Sequence, residues 1–159
     1  MTQTALFAGG CFWGVEARFT GVPGVLETLV GYAGGATEDP TYPEVCSDTT
    51  GHVECVLVTY DPNKTDYAEL LNVFFDAHDP SLSLEECAAF GSQYRSVIFY
   101  GNPSEKQAAK KAIERLNCSG NFAQPVCTEL RELCPFYPAE DYHQHYYARH
   151  GLPFGTSTF

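Results

Sequence analysis

The stretch from Thr4 to Phe19, TALFAGGCFWGVEARF, decides the fold of this chain. Its first residues, Thr4 to Ala8, form a short apolar run that stops at Gly9-Gly10. Cys11 to Phe19 then read as a helix that tolerates Gly14. The order is strand, glycine turn, helix start, and it leaves Cys11 at the first helical turn.

Working outward, Val25 to Tyr32 reads as a second strand closed by Gly34-Gly35, and Ala36 to Gly51 as a polar, proline-containing excursion rich in turn formers. Val53 to Tyr60 is β-branched and apolar on both faces except for Glu54, as an interior strand would be. Leu70, Leu71, Phe74 and Phe75 recur at helical spacing in a segment running from Asp66 to about His78-Asp79-Pro80. Beyond the long segment Ser81 to Gln93 come a strand over Ser96 to Tyr100 and an exposed helix over Pro103 to Leu116. The remainder predicts a strand over Val126 to Leu130 and an aromatic-rich helix over Ala139 to Arg149, ahead of a Gly/Pro tail. With 159 residues, 44% of them hydrophobic, the chain has material for one buried core. The expectation is a single catalytic domain, 1-159, built as an α+β two-layer sandwich.

Charge and cysteine usage narrow the function. A formal net charge of -11, with Lys110-Lys111 the sole basic cluster, repels a phosphate backbone, so nucleic acid is not an expected partner. No run approaches the roughly 20 apolar residues of a membrane span, and Met1 to Phe7 does not read as a signal segment; the expected location is the cytoplasm. Seven cysteines with no CxxC pair fit neither a closed disulfide framework nor a zinc ribbon. That leaves chemistry by individual thiols. The histidines His143, His145 and His150 read with Glu140 and Asp141 as a solvated, aromatic-packed helix, and neither metal nor cofactor is expected.

A cysteine thiol reacts as its thiolate, and the first turn of a helix offers unpaired N–H groups and the positive end of the helix dipole. Cys11 occupies that place. Its glycine neighbours permit close approach of a ligand, and Phe12 and Trp13 supply an apolar wall suited to a thioether methyl. The site would therefore select a soft, neutral sulfur compound.

The string Gly10-Cys11-Phe12-Trp13-Gly14 resembles the active-site motif of the peptide methionine sulfoxide reductase A family. The resemblance continues through Gly31-Tyr32-Ala33-Gly34-Gly35, Tyr42-Pro43-Glu44-Val45-Cys46, Thr50-Gly51-His52-Val53-Glu54, His78-Asp79-Pro80, Gly91-Ser92-Gln93-Tyr94-Arg95-Ser96 and Pro135-Phe136-Tyr137-Pro138-Ala139-Glu140. It implies a ferredoxin-like split βαβ core, action on the S epimer of methionine sulfoxide, free or in proteins, and a thioredoxin-like or other thiol reductant as partner. It makes Cys11 the attacking thiol, Glu54 the acid, and Tyr42 and Tyr94 the phenols that hold the sulfoxide oxygen.

Those implied roles agree with elementary chemistry. A carboxyl group on an apolar interior strand is desolvated and keeps its proton near neutral pH. A sulfoxide becomes electrophilic when its oxygen is protonated, and phenol donors stabilise the charge that develops as Cys11 attacks. The products are a sulfenic acid on Cys11 and a free thioether. His52, on the Glu54 strand face, reads as a satisfied structural histidine rather than a tuning group. Two other classes compete: a redox-sensing or binding module that has lost turnover, and a thiol acyl-transfer enzyme, weakened by the lack of a histidine motif beside Cys11.

The chain departs from the family pattern twice. Where members usually carry an aspartate that holds the substrate's backbone amide, this chain has Ala89, followed by Phe90; Glu85 or Glu86 would have to substitute, or the substrate lacks a peptide backbone. At the end, Gly151 to Phe159 carries no cysteine, where many members have a resolving one. Resolution then falls to an external thiol or to Cys87, Cys134 or Cys46, ranked in that order, with Cys118 and Cys127 spare or paired together.

Overall fold

The computed structural model describes residues 2–47, 49–82, 85, 91–122 and 124–151. Strand β1 (Gln3–Gly9) leads through Gly10 into helix α1 (Phe12–Thr20) and then β2 (Val25–Ala33). A short helix α2 (Tyr42–Cys46), strand β3 (Val53–Tyr60) and helix α3 (Tyr67–Asp76) follow. A 3-10 turn (Ser92–Tyr94), strand β4 (Ser96–Tyr100), helix α4 (Pro103–Cys118), strands β5 (Glu129–Glu132) and β6 (Phe136–Pro138), a second 3-10 turn (Asp141–His143) and helix α5 (Tyr146–Arg149) complete the described chain.

The strands form one sheet in the order β5-β4-β1-β3-β2-β6. All neighbours are antiparallel except β4 and β5. Strand β3 lies between β1 and β2, as its two-sided apolar sequence requires. Its alternation divides the core: Val56, Val58 and Tyr60 pack with α1, α3 and α4, while Val53 and Cys55 pack across the sheet with Leu6, Ala8 and Phe99. Parity puts Glu54 on the helix side. The register then opposes it to Tyr32 of β2.

Helix α3 buries the four residues its spacing selects, Leu70, Leu71, Phe74 and Phe75, and is capped by Asp66, whose carboxylate accepts the Glu69 N–H at 2.8 Å. Helix α4 buries only Ala109 and Ala112, in keeping with its Lys- and Glu-rich sequence. Phe7 ties the layers together, with its ring 5.5 Å from Phe19 and 5.1 Å from Phe74.

Three sequence expectations change. The excursion before β3 contains α2, set by a capping box in which the Thr41 hydroxyl accepts the Glu44 N–H and the Glu44 carboxylate accepts the Thr41 N–H. Strand β5 begins at Glu129 rather than Val126, because the Val126 and Cys127 N–H groups go to the Asn117 side chain and the Pro80 carbonyl. The helix expected over Ala139 to Arg149 is divided in two. Gln144 takes an extended backbone so that its amide pairs with both the N–H and the C=O of Val30, and His145 sits in the left-handed region at φ 52°. Tertiary hydrogen bonds to β2 outcompete the local helix there. Strand β6, beside β2, has no counterpart in the sequence reading.

The His78-Asp79-Pro80 string supports the turn before Cys11. His78 is buried, with Nδ1 donating to the Phe74 carbonyl and Nε2 accepting from Ser96, each at 2.8 Å. A Cβ on Gly9 would lie 2.8 Å from this ring and 2.9 Å from Phe74, so only glycine lets β1 pass so close. Burial, offset in part by the Phe74 carbonyl and Asp79, pulls the imidazole down to about 4. The unfolded chain therefore binds the extra proton first, between the ordinary histidine value and pH 4. Stability should fall over that window as pH is lowered, by about 3 kcal/mol for this group. Urea unfolding measured at steps from pH 7 to pH 4 checks this: His78→Asn should show a shallower decline than the parent.

Candidate active site

The left-handed φ of +93° at Gly10 turns the chain from β1 into α1 and leaves Cys11 as the N-cap residue in an extended conformation. The thiol is partly exposed, with the Trp13 and Gly14 N–H groups pointing at it. These donors favour thiolate, as the sequence led us to expect. They are outweighed: burial first, then Glu54 and Cys46, push the thiol up to about 12. At rest Cys11 is a protonated thiol.

Glu54 is 1% exposed, and its Oε1 accepts the Phe12 N–H at 3.2 Å. Burial lifts its carboxyl to about 8 against the opposing pull of that N–H. Because Oε1 accepts, the proton sits on Oε2, which is buried and has no partner among the described residues. An unpaired acidic proton is thus held at the N-terminus of α1, within the electrostatic reach of Cys11.

The two tyrosines come from different elements. Tyr42 opens α2, with its backbone N–H fixed by Glu140 Oε2 at 3.0 Å and its ring 6.4 Å from Phe12. Burial first, and then the neighbouring Glu54 and Cys46, push its phenol up, so it stays a donor. Tyr94 closes the first 3-10 turn. Burial and the negative forms of Glu54, Cys11 and Cys46 raise its phenol to about 12, so it stays a donor. Cys11, Glu54, Tyr42 and Tyr94 therefore share one electrostatic neighbourhood. Phe12 is buried and Trp13 half-buried beside them, and among the described residues no group of three His, Cys, Asp or Glu side chains could hold a metal ion.

The resolving candidates separate. Cys46 is exposed at the end of α2 and close enough to Cys11 for its charge to be felt there. Cys134 packs beside Cys55 on the opposite face of the sheet. Cys87 lies outside the described residues, as do Glu86, Ala89 and Phe90, and Glu85 is exposed. Cys118 and Cys127 are both free.

Four residues of the site had no assigned role. Glu140 joins β2 to α2 through the Tyr32 hydroxyl at 2.9 Å and the Tyr42 N–H. Burial alone would raise its carboxyl, but these bonds hold it below the ordinary value. His143 is fully buried, not solvated, and accepts the Trp13 indole N–H at 3.0 Å. Tyr146 stacks on that indole at 3.8 Å. Tyr32 faces Glu54 across the ladder. The Pro135 to Glu140 string and the His-Tyr cluster were the signals for them. His52 is structural: its ring bonds the Gly35 N–H and the Thr37 carbonyl.

Residues 3–156 match the family model described as peptide methionine sulfoxide reductase. The chain is 48% identical to peptide methionine sulfoxide reductase MsrA of Methanoculleus marisnigri over 94% of its own length and 91% of the relative's. Among solved structures, it superposes on methionine sulfoxide reductase A of Corynebacterium diphtheriae with a TM-score of 0.81 and 34% identity, covering 96% of this chain and 77% of that one. Reduced Mxr1 of Saccharomyces cerevisiae gives a TM-score of 0.83 at 30% identity, covering 96% and 88%. Mxr1 has also been solved in complex with Trx2, with a TM-score of 0.60 at 25% identity, covering 91% of this chain and 84% of that one.

Glu54 and Cys11 are coupled through charge, and the coupling has a direction. As Glu54 ionises through about pH 8, its negative charge opposes loss of the thiol proton. Glu54→Gln removes that charge, so Cys11 should titrate below its parent value. Iodoacetamide alkylation of the Cys11 peptide, followed against pH by mass spectrometry, measures both; identical midpoints would show that the groups do not interact.

Proposed function

The chain belongs to the peptide methionine sulfoxide reductase family, and we propose that it reduces the S epimer of methionine sulfoxide with Cys11 as nucleophile, Glu54 as acid, and Tyr42 and Tyr94 as donors to the sulfoxide oxygen. The observation that carries this reading is the protonated Oε2 of Glu54, without a partner among the described residues and buried beside the Cys11 helix terminus. A buried carboxyl that retains its proton near neutrality is a general acid waiting for an acceptor.

In this reading the sulfoxide oxygen receives the Glu54 proton as the Cys11 sulfur bonds to the sulfoxide sulfur, and the Cys11 proton restores the carboxyl. Breaking that bond with transfer of the hydroxyl to Cys11 releases the thioether and leaves a sulfenic acid: the sulfoxide gains two electrons and the cysteine loses two. Phe12 and Trp13 line the side that would take the S-methyl group. A second thiol then displaces water from the sulfenic acid and forms a disulfide.

Cys46 is the internal thiol we favour for that step. Its electrostatic contact with Cys11 and its place on the helix that carries Tyr42 support it over Cys134, which lies across the sheet. A thiol reductant of the thioredoxin type would reduce the product, a reading supported by the complex of Mxr1 with Trx2. The antiparallel order β4-β1-β3-β2, with α1 and α3 as the crossovers, supports the ferredoxin-like split βαβ description, and we take the chain as one catalytic domain. A cytoplasmic location accords with its many unpaired thiols. No helix among the described residues is long and apolar enough to cross a membrane.

Incubation with each separate epimer of methionine sulfoxide and excess dithiothreitol, with methionine quantified, tests the reading. Methionine should come from the S epimer alone, vanish with Cys11→Ser, and fall about 10²–10⁴-fold with Glu54→Gln. The parent rate should decline above about pH 8, where Glu54 loses its proton. Methionine production by Cys11→Ser would refute it. Without dithiothreitol, one equivalent of substrate should join the Cys11 and Cys46 peptides; a sulfenic acid that persists on Cys11 would remove Cys46 from the scheme.

A further inference from the structure

His143 is held among aromatic rings in a way that packing alone does not explain. Its imidazole is 4.3 Å from the ring of Tyr42, 4.0 Å from Tyr142 and 5.2 Å from Phe12. Its Nδ1 accepts the Trp13 indole N–H at 3.0 Å, so the neutral ring carries its own proton on Nε2. That nitrogen is buried with no hydrogen-bond partner among the described residues. An orphaned buried donor costs its desolvation, which a phenyl ring in the same place would avoid. What the imidazole provides is the acceptor for Trp13.

The indole is fixed from a second direction as well. Tyr146 stacks on it with an interplanar angle of 8°, and the segment carrying both partners is anchored to α1 by Glu16, which is 1% exposed. One Glu16 oxygen accepts the His145 N–H at 2.8 Å; the other accepts the Thr28 hydroxyl at 2.8 Å. With one face covered by Tyr146 and its N–H engaged, Trp13 has a single orientation to present beside Cys11.

Taking the site as the sulfoxide reductase read above, we infer that His143 is the positioning residue for substrate selectivity, fixing the Trp13 indole as the wall against which the S-alkyl group packs. It does not touch the reacting atoms. Its effect reaches the substrate through the indole, and so appears in binding and in the choice between methyl and larger groups rather than in the chemical step.

The test compares the parent protein with His143→Phe, which keeps a ring but loses the acceptor, and His143→Gln, which keeps an acceptor. The substrates are the free S epimers of methionine sulfoxide and ethionine sulfoxide, with dithiothreitol as reductant. Loss of one buried hydrogen bond corresponds to about tenfold, so His143→Phe should raise KM for methionine sulfoxide about tenfold with kcat little changed. It should narrow the methyl-over-ethyl preference by a similar factor, and His143→Gln should restore both.

Trp13 is the only tryptophan in the sequence, so its fluorescence reads the wall directly. Protonation of His143 ends its acceptor role, and the parent should show an emission transition on acidification that both variants lack. Glu140, Tyr42 and Tyr142 surround the imidazole, Glu16 and His145 lie beside the indole, and His150 packs against Tyr146. Loss of the transition in the variants assigns it to His143 rather than to those groups. Unchanged KM and preference in His143→Phe, or an acid transition that persists in His143→Gln, would overturn the inference. A parent that reduces neither sulfoxide would instead sink the functional reading, with the emission titration still deciding whether His143 holds Trp13.

Discussion

The arrangement depends on one uncharged carboxyl group. Glu54 sits on the central strand of the sheet, on the side covered by helices, with one oxygen bound to the Phe12 N–H at the start of α1. A charged carboxylate would be costly in that position, so burial keeps the proton on. The same proton neutralises the field next to Cys11, where a carboxylate would oppose thiolate formation. Carboxyl and thiol are therefore both neutral at rest, a state that suits the proposed attack on a neutral sulfoxide.

Around that pair, residues 139–146 act as a clip. The Ala139 N–H and the Gln144 amide bind Val30 of β2, Glu140 binds Tyr32 and the start of α2, His143 binds Trp13, and the His145 N–H binds Glu16 of α1. Together these bonds tie three elements, β2, α2 and α1, to the same short segment, which explains why that segment is extended, turned and left-handed rather than helical. Regular helix would satisfy its own backbone but would break these ties. The tyrosine at the head of α2 and the aromatic wall on α1 are thus positioned by a common piece of chain.

The sheet also sorts the thiols. Alternation along β3 sends Glu54 to one side and Cys55 to the other, and Cys134 follows Cys55. Cys46 remains on the Cys11 side because α2 precedes β3 and carries Tyr42 into the same site. A chain with seven cysteines needs such partition, since a sulfenic acid reacts with any thiol that reaches it.

Much was legible in the sequence because it was local. The strand–glycine–helix start at Cys11, the two-sided apolar strand around Glu54 and the Leu/Phe stripe of α3 are each set by periodicity and turn chemistry within a few residues. The capping box at Thr41 was equally local and went unread because it lay within a stretch dominated by turn formers. Other features could not be read from neighbours. The division of the final helix, the burial of His143 and the distance of Cys134 from Cys11 arise from contacts between residues far apart in the chain, as in the pairing of Trp13 with His143 or Val30 with Gln144. The sequence by itself determined which groups are able to react, because nucleophile, acid and phenol are properties of side chains. Tertiary structure alone decided their protonation and their partners, because desolvation and hydrogen bonding depend on what the rest of the fold brings against them.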